Sequence, residues 1–466
     1  MLFNSLPFLC FFPVAVILYY VIPRRFKYIW LLFCSYFFYA CQDRSVTVLL
    51  MVSTVITWST GRLVFYADTK RRKNFYTALG FILNLSILVY FKYFGFLASF
   101  LMPGRDFNLF MPAGISFYTF QSLSYIMDCY RRQVRPENNI LKYALFVSFF
   151  PCILSGPIER SKNMLPQISR DKKWDPIRAK EGLFLMLWGY FLKLVIVSRL
   201  DILTSYVYEN KASVGIPMIA ALLAYSIQIY CDFAGYSFIA IGAARILDYN
   251  VMRNFRQPYL AASVADFWRR WHISLSTWFR DYLYIPLGGS RKGTLRRYVN
   301  VVIVFAVSGI WHGATLNFLI WGLLFALYQI LGHAITPLKD KLKLPRWVNI
   351  MLTYMLVTLT WVFFRAQSFA RALDELRRTF TGIRPMQLFD GTLTGLGLGT
   401  YNLVFVIFAI IVLIVFDLLC EKKDCEIYAL MDRTSVYIRW GVYYMLIIMI
   451  LFSVNLSTQE FIYQGF

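Results

Sequence analysis

Charged side chains are scarce in this sequence: they make up 16% of its 466 residues, whereas 59% are hydrophobic. Soluble domains are about 45–50% apolar even when glycine is counted. The composition therefore excludes the globular, disordered, collagenous and disulfide-scaffold classes. It indicates an integral membrane protein, in which lipid covers the apolar surface that a soluble core could not hold.

Motifs of several common site types are also absent. There is no C-x-x-C pair, G-x-S-x-G, P-loop, H-E-x-x-H, or G-x-G-x-x-G before a helix. Most of the eight cysteines lie in apolar runs, and the close pair Cys420 and Cys425 is weak support for a bridge or a metal. A zinc site from His272, His312 and a cysteine has no local ligand spacing to support it. We therefore predict no metal site and no bound cofactor.

Cations outnumber anions, with 48 Lys and Arg against 25 Asp and Glu, for a formal net charge of +23. They form short clusters between apolar runs, where cytoplasmic loops of membrane proteins collect Lys and Arg. No zinc-finger spacing, RRM motif or extended basic arm accompanies them, so we predict no nucleic-acid partner. The charge after the first apolar run places the loop at Arg24 in the cytoplasm. Beyond Asp128 the charge pattern leaves the topology open.

Apolar runs predict about eleven spans of a hydrocarbon core about 30 Å thick. Three lie before residue 70. The first, residues 6–22, has no basic n-region and no small-residue cleavage site, and we expect a retained span, not a signal peptide. The remaining runs begin near Tyr76, Gly182, Ile216, Tyr298, Ala314, Val348, Tyr401 and Ile438.

Five further stretches fit a simple span less well. Residues 112–127, 141–154 and 234–247 are shorter or interrupted by Pro and Gly, and are candidates for re-entrant structure. Residues 155–181 carry several cations among prolines and predict a cytoplasmic loop or interfacial helix. Residues 369–379 predict an amphipathic helix. No internal repeat is apparent, so a single membrane domain over residues 1–466 is expected.

The three histidines are His272, His312 and His333, and two have unusual surroundings. His312 lies deep in an apolar pair of segments, where burial penalises the charged imidazole and favours the neutral base. Gly309 and Gly313 bracket it and predict a strip free of side chains, open to another backbone or a slender ligand. The alternative is that His312 makes only a structural hydrogen bond between tightly packed helices.

His272 lies in a segment that mixes cations, carboxylates and indoles. Arg269, Arg270 and Arg280 accompany the acidic residues Asp266 and Asp281. Guanidinium groups suit the phosphates of a nucleotide or pantetheine arm, which predicts a half-buried helix that meets an anionic group from the cytoplasm. The alternative is an interfacial helix whose arginines reach lipid headgroups.

These segments resemble the membrane-bound O-acyltransferase (MBOAT) superfamily, and within it the bacterial branch that serves alginate O-acetylation and D-alanylation of teichoic acid. The resemblance rests on FWRRWHISLSTWFRDYLYIPLGGSRKG (267–293), SGIWHGA (308–314), FFPCILSGPIER (149–160) and the opening MLFNS. It implies an all-α polytopic membrane protein with the MBOAT fold. In that fold the spans, with re-entrant and interfacial helices, surround a central tunnel.

The resemblance also implies an activity, the transfer of an acyl group from a cytoplasmic thioester toward an acceptor across the bacterial cytoplasmic (inner) membrane. The histidine that matches His312 is the essential one, near the narrow point of the tunnel, and the one that matches His272 assists. His333 matches no family motif, and we expect a cap or interface role. The residues expected to bind the donor or line the tunnel are Trp311, Gly309, Gly313, Trp268, Arg269, Arg270, Arg280 and Asp281.

The C-terminal sequence QEFIYQGF (459–466) resembles an aromatic motif in which a tyrosine is proposed to take the acyl group as a relay. Tyr463 occupies that place, although Gln464 follows where another aromatic residue is expected. Tyr463 is therefore a candidate acyl relay, and an ordinary aromatic tail anchored at the interface is the alternative.

The opening sequence and residues 285–293 favour the O-acetylation branch. The expected donor is acetyl-CoA, and the expected partner is an extracytoplasmic SGNH-hydrolase-like O-acetyltransferase that delivers the group to alginate, peptidoglycan or another glycan. A D-alanyl transferase for teichoic acid, served by the phosphopantetheine of a cytoplasmic acyl carrier, is the first alternative. A transporter or flippase of an intact acyl donor is the second, and a non-catalytic scaffold for a secreted acyltransferase is the third.

Overall fold

The computed structural model describes residues 1–41, 44–101, 112–336 and 341–454. Within these ranges the chain forms helices and no β-strand, which confirms the predicted all-α fold. The first eleven α-helices are α1 (Leu6–Val21), α2 (Lys27–Ala40), α3 (Arg44–Tyr66), α4 (Lys70–Leu101), α5 (Ile115–Tyr130), α6 (Ile140–Ser148), α7 (Phe150–Ile153), α8 (Ser161–Ser169), α9 (Pro176–Tyr190), α10 (Ser198–Glu209) and α11 (Ile216–Ile246).

Helices in the second half of the chain carry both candidate histidines. They are α12 (Val264–Arg270), α13 (Ile273–Phe279), α14 (Thr294–His312), α15 (Leu316–Ala334), α16 (Arg346–Arg365), α17 (Phe369–Phe380), α18 (Thr400–Lys423), α19 (Ile427–Asp432) and α20 (Val436–Leu451). Two π-helical segments, Phe191–Val197 and Arg280–Tyr284, continue α9 and α13.

Eight helical runs among the described residues are long and apolar enough to cross a membrane, since a span needs about 20 such residues. They are α3, α4, the continuous run from α9 to α10, α11, α14, α15, α16 and α18. The helices α1 and α20 are shorter and apolar. These findings confirm a multi-pass membrane protein, while the number of about eleven spans stays a prediction.

One of the three segments predicted to be short or interrupted is part of a long helix. Residues 234–247 were expected as a short, interrupted element, but all except the last belong to α11, a single helix of 31 residues. Gly235 does not break this helix because it packs: a Cβ there would lie 2.9 Å from the carbonyl oxygen of Gly189. The other two segments are helical in shorter pieces, as α5 and as α6 with α7.

The described residues form two compact units, residues 1–186 with 236–253, and residues 187–235 with 254–454. Aromatic packing holds the first unit together, since the ring of Phe3 lies 4.9 Å from that of Phe8 and 5.6 Å from that of Phe38. The hydroxyl of Tyr236 donates to the side chain of Asn4 at 3.0 Å within the same unit. The expectation of a single membrane domain stays a prediction.

The second unit contains α12 to α20 and both candidate histidines. Its helix α17 confirms the predicted amphipathic helix. One polar residue of α17 is buried: the carboxylate of Glu375 is fully buried and pairs with Arg365 at 3.5 Å and Arg371 at 3.3 Å. Deeper in the unit, the ammonium of Lys193 pairs with the carboxylate of Asp232. Buried charges are expected to be paired in this way, because an isolated one is costly in an apolar interior.

Candidate active site

The helices α14 and α15 form a hairpin whose backbones touch at two glycines. A Cβ at Gly309 would lie 2.3 Å from the carbonyl oxygen of Phe318, and one at Gly322 would lie 2.2 Å from that of Phe305. Real side chains do not fit at such distances, so this close approach requires glycine. The hairpin therefore fixes the end of α14, where His312 is the last helical residue.

The strip free of side chains at Gly309 and Gly313 is occupied by Phe318, a residue of the same hairpin. A Cβ at Gly313 would lie 2.3 Å from the ring of Phe318, the residue whose carbonyl also meets Gly309. Of the two alternatives that the sequence left open, the neighbouring chain segment occupies this strip. Gly309 and Gly313 therefore pack the hairpin, and their expected role in binding the donor or lining a tunnel stays a prediction.

Aromatic rings surround the imidazole of His312, which is 3% exposed. The ring centroid lies 4.8 Å from that of Trp311, 5.0 Å from Trp321 and 5.4 Å from Phe364, each in an edge-on arrangement. Edge-on packing of this kind holds the imidazole in a defined orientation among apolar rings. We call these three rings the His312 cage.

Phe364 is held in the cage by its neighbours in the chain. The guanidinium of Arg365 stacks 3.7 Å from the ring centroid of Tyr208 and pairs with the buried Glu375. The side-chain amide of Asn317 donates to the carbonyl oxygen of Ala366 at 2.5 Å. The end of α16 is therefore fixed at the two residues that follow Phe364, which helps to hold this wall of the cage.

His272, unlike His312, does not lie in a helix: it is in the turn between α12 and α13. Its φ of 42° lies in the left-handed region, which costs a residue other than glycine conformational energy. Asn254 secures the turn: its carbonyl accepts from the amide of Ile273 at 2.9 Å, and its side chain accepts from Ser274 at 2.6 Å. Burial lowers the pKa of His272 to about 3, so the imidazole is neutral at physiological pH.

The rings of both histidines lie close to one indole, that of Trp311. The ring of His272 lies 6.2 Å from that of Trp311, and the ring of Phe233 packs edge-on against His272 at 4.6 Å. Trp311 in turn belongs to the His312 cage. The structure therefore brings His272 close to Trp311 and His312, which lie about 40 positions further along the sequence.

A cavity of about 490 Å³ lies along α14. Three of the predicted residues line it, Trp268, Arg269 and Arg280. As far as the described residues show, the lining reaches Ser308, one helical turn before His312, and does not include either histidine. The central tunnel around His312 stays a prediction.

The cavity follows one face of α14, and sequence reasoning missed this face. Its α14 residues recur at helical spacing: Arg297, Val301, Val304, Phe305 and Ser308. Arg297 adds a third cation to those of Arg269 and Arg280. The spacing of an arginine followed by apolar residues at four, seven and eight positions could have indicated an amphipathic cavity wall.

Arg270 does not belong to this cavity, although its neighbour Arg269 does. Its guanidinium holds Glu421 through two contacts, at 2.7 and 3.1 Å, and also pairs with Asp266 at 3.0 Å. Arg346 reaches the same Glu421 carboxylate at 2.5 Å. Arg270 thus ties α12 to α18 through carboxylates of the chain itself, and its expected role in donor binding stays a prediction. Asp281 pairs with the cavity residue Arg280 at 2.8 Å.

Two remaining predictions concern residues away from the cage. The ring of His333 forms a 2.9 Å hydrogen bond with the hydroxyl of Tyr298, which agrees with an interface role between α14 and α15. Tyr463, the candidate acyl relay, lies outside the described residues.

The comparisons with known proteins agree with this picture. Residues 33–371 match the sequence model of the MBOAT, membrane-bound O-acyltransferase family. A probable alginate O-acetylase, AlgI, of Pseudomonas aeruginosa is 35% identical over 432 residues, which cover 88% of this chain and 81% of the relative.

Two further relatives act on cell-wall polymers, as their names state. The peptidoglycan O-acetyltransferase of Helicobacter pylori is 33% identical over 420 residues, 81% of this chain and 79% of the relative. The teichoic acid D-alanyltransferase of Bacillus subtilis is 28% identical over 261 residues, 52% of this chain and 65% of the relative. The sequence identity to the O-acetylating proteins is therefore higher than that to the D-alanyltransferase, and it extends over more of this chain.

Proposed function

The chain belongs to the membrane-bound O-acyltransferase family and is a multi-pass enzyme of the bacterial inner membrane, and from this premise we propose its substrates and site. The proposed reaction takes an acetyl group from cytoplasmic acetyl-CoA and passes it across the membrane for O-acetylation of an extracytoplasmic polysaccharide. The observation that carries this proposal is the meeting of His312 and His272 at Trp311, next to a cavity with three arginines.

His312 acts as the base in the proposed reaction. The acceptor oxygen attacks the thioester carbonyl carbon while its proton passes to the imidazole, and the carbonyl π electrons move onto oxygen. The tetrahedral intermediate then breaks its C–S bond, and the leaving sulfur takes the proton from the imidazolium. Such base catalysis contributes typically 10²- to 10⁴-fold, and the His312 cage holds the imidazole in place for it.

His272 assists without changing its charge. Its lowered pKa, near 3 through burial, keeps the imidazole neutral across the working range of pH. A neutral imidazole can donate one hydrogen bond and accept another, which suits orientation of a reactant but not acid catalysis near pH 7. The packing of its ring on Phe233 and Trp311 fixes that orientation.

The cavity along α14 is the proposed donor site. Guanidinium groups suit phosphates, so Arg269, Arg280 and Arg297 would hold the phosphorylated end of the donor. From Arg297 the wall runs along α14 to Ser308, about 16 Å at 1.5 Å per residue. The thioester at the inner end would then approach His312, one turn beyond, while the end at Arg297 would face the cytoplasm.

Acetyl is favoured over D-alanyl by the comparisons. The relatives that are named as O-acetylating proteins are 33 and 35% identical and cover more than four fifths of this chain, whereas the D-alanyltransferase covers about half. D-alanyl transfer from a carrier protein is the alternative. An extracytoplasmic SGNH-hydrolase-like transferase is the proposed partner, because the enzyme itself presents the acyl group only at the membrane.

The test is donor consumption by the purified enzyme in lipid vesicles. With acetyl-CoA labelled in the acetyl group, an acceptor glycan and the partner, the wild type should release CoA and label the glycan, and D-alanyl carrier protein should not be consumed. His312→Gln should abolish both signals with folding intact, whereas His333→Gln should not. Flux of intact donor without CoA release would support a transporter, and acetylation that survives His312→Gln would support a scaffold.

A further inference from the structure

Trp268 stands at the place where the cavity wall meets the rings around His312. It lines the cavity together with its neighbour Arg269 and with Ser308 of α14. Its ring lies 5.4 Å from that of Phe305 and 5.8 Å from that of Trp321, and Trp321 is one of the cage rings. A single aromatic ring therefore separates Trp268 from the imidazole of His312.

The indole nitrogen of Trp268 has a hydrogen to donate and, among the residues that the structure describes, no acceptor for it. The side chain is 9% exposed, and Nε1 is buried with no hydrogen-bond partner among residues 1–41, 44–101, 112–336 and 341–454. An indole N–H can only donate, and buried donors are satisfied in about nine of ten cases or more. Leaving one unpaired costs about 1–3 kcal/mol. An acceptor atom supplied by the cavity's occupant would remove that cost.

We propose that the indole N–H of Trp268 donates a hydrogen bond to the carbonyl oxygen of the thioester donor and holds the oxyanion formed there. This inference rests on the proposed function. In the step described above, the carbonyl π electrons move onto oxygen as the acceptor oxygen bonds to carbon. Trp268 stabilises that negative charge without transferring its own proton, and the charge returns to the carbonyl when the C–S bond breaks.

A carbonyl oxygen suits this position better than a phosphate. The three arginines that line the cavity supply full positive charge for phosphates, whereas Trp268 offers one neutral donor among aromatic rings and Ser308. A preorganised neutral donor in an apolar site acts where charge develops during the reaction, which is the arrangement of an oxyanion hole. The thioester carbonyl is the part of the donor at which such charge develops.

Trp361 provides a matched control. Its indole nitrogen is also buried without a partner among the described residues, and the residue is fully buried, but it does not line the cavity. Its ring packs against Trp271 at 5.0 Å and takes part in the aromatic core of the unit. Both residues pack against the cage ring Trp321, at 5.8 Å for Trp268 and 6.1 Å for Trp361. Tryptophan to phenylalanine therefore removes the same N–H at two positions near the cage, of which Trp268 alone lines the cavity.

The first measurement is turnover of acetyl-CoA in vesicles. Trp268→Phe should lower kcat about 10²-fold, as loss of one oxyanion donor does, with little change in KM. Trp361→Phe should keep the wild-type kcat. Equal kcat values for Trp268→Phe and the wild type would overturn the proposal, as would equal losses in the two variants.

The second measurement separates a missing hydrogen bond from a misshapen cavity. S-acetonyl-CoA carries a carbonyl, and S-propyl-CoA is its hydrocarbon counterpart. The wild type should bind the ketone about tenfold more tightly than the propyl compound, which is about one hydrogen bond, and Trp268→Phe should bind the two equally. A preference that survives in Trp268→Phe would refute the proposal. If His312→Gln retains full turnover, the proposed function itself fails, which is a different outcome.

Discussion

His312 and His272 contact the same indole, but they reach it from two different kinds of backbone. His312 ends a regular hairpin of two long helices, α14 and α15, which packs through glycines. His272 lies in an irregular turn, in a left-handed conformation, and Asn254 secures it. The hairpin derives its precision from backbone contact, whereas the turn derives it from side-chain hydrogen bonds. The two histidines should therefore respond differently to substitution.

The largest effect is expected at the hairpin, in His312→Gln. Glutamine keeps a polar side chain but cannot serve as a base, so kcat should fall about 10²- to 10⁴-fold. His272→Asn should cost less, because the residue stays neutral in the proposed step and asparagine tolerates a positive φ. Single-turnover release of CoA measures both. A larger loss in His272→Asn than in His312→Gln would reverse the comparison.

The neighbouring residues Arg269 and Arg270 should respond differently to the same substitution. Arg270→Gln removes the pairs with Glu421 and Asp266, and hydrogen bonds to charged groups are worth about 1.5–3 kcal/mol. Its melting temperature should fall, while KM for acetyl-CoA should stay unchanged. Arg269→Gln should raise KM and leave the melting temperature unchanged. If the two variants behave alike, the assignment of Arg269 to the cavity and Arg270 to structure is wrong.

The stability of the α14–α15 hairpin should be sensitive to one added methyl group. Gly309→Ala would bring a Cβ within 2.3 Å of the Phe318 carbonyl, and overpacking of this kind costs about 1–3 kcal/mol. Gly332→Ala is the matched control in α15, because no atom of the described part of the chain lies within 4 Å of a Cβ there. Thermal unfolding followed by tryptophan fluorescence should show a lower midpoint for Gly309→Ala alone. Equal midpoints would mean that the hairpin does not depend on this contact.

The smallest expected effect is the pH dependence contributed by His272. Burial holds its pKa near 3, against about 6.5 in an unfolded chain. Between these values the unfolded chain binds a proton that the folded protein does not. Stability is therefore intact above pH 6.5 and falls as the pH is lowered toward 3. Melting temperatures between pH 7.5 and 5 should fall less steeply for His272→Asn than for the wild type, and identical slopes would contradict the assignment.

Much of the fold follows from the sequence because long apolar runs can hardly form anything but helices in lipid. Runs predicted to begin near Tyr298 and Ala314 are α14 and α15, within a few residues. Residues 234–247 were predicted wrongly because Gly235 was taken as an interruption. The contact that explains this glycine, with Gly189, lies 46 positions away and leaves no local signal.

The site was predictable in part, and chiefly through the family resemblance. The motifs around His272 and His312 named the residues that meet at Trp311, although periodicity alone could not have joined them. The role of Arg270 depends on Glu421, which is 151 positions away. Nothing in a run of two adjacent arginines indicates which one faces the cavity. Arg297 and Ser308, in contrast, share a helical face that the sequence does contain.

The position of His312 as the last residue of α14 has an electrostatic consequence. The final turn of a helix carries carbonyl groups without amide partners, and together with the aligned peptide dipoles they amount to about half a negative charge. The amide of Gly313 engages one of these carbonyls, that of Gly309. The rest of that partial charge lies beside the ring that becomes cationic in the proposed step. The helix that positions the base thus also supplies a counter-charge.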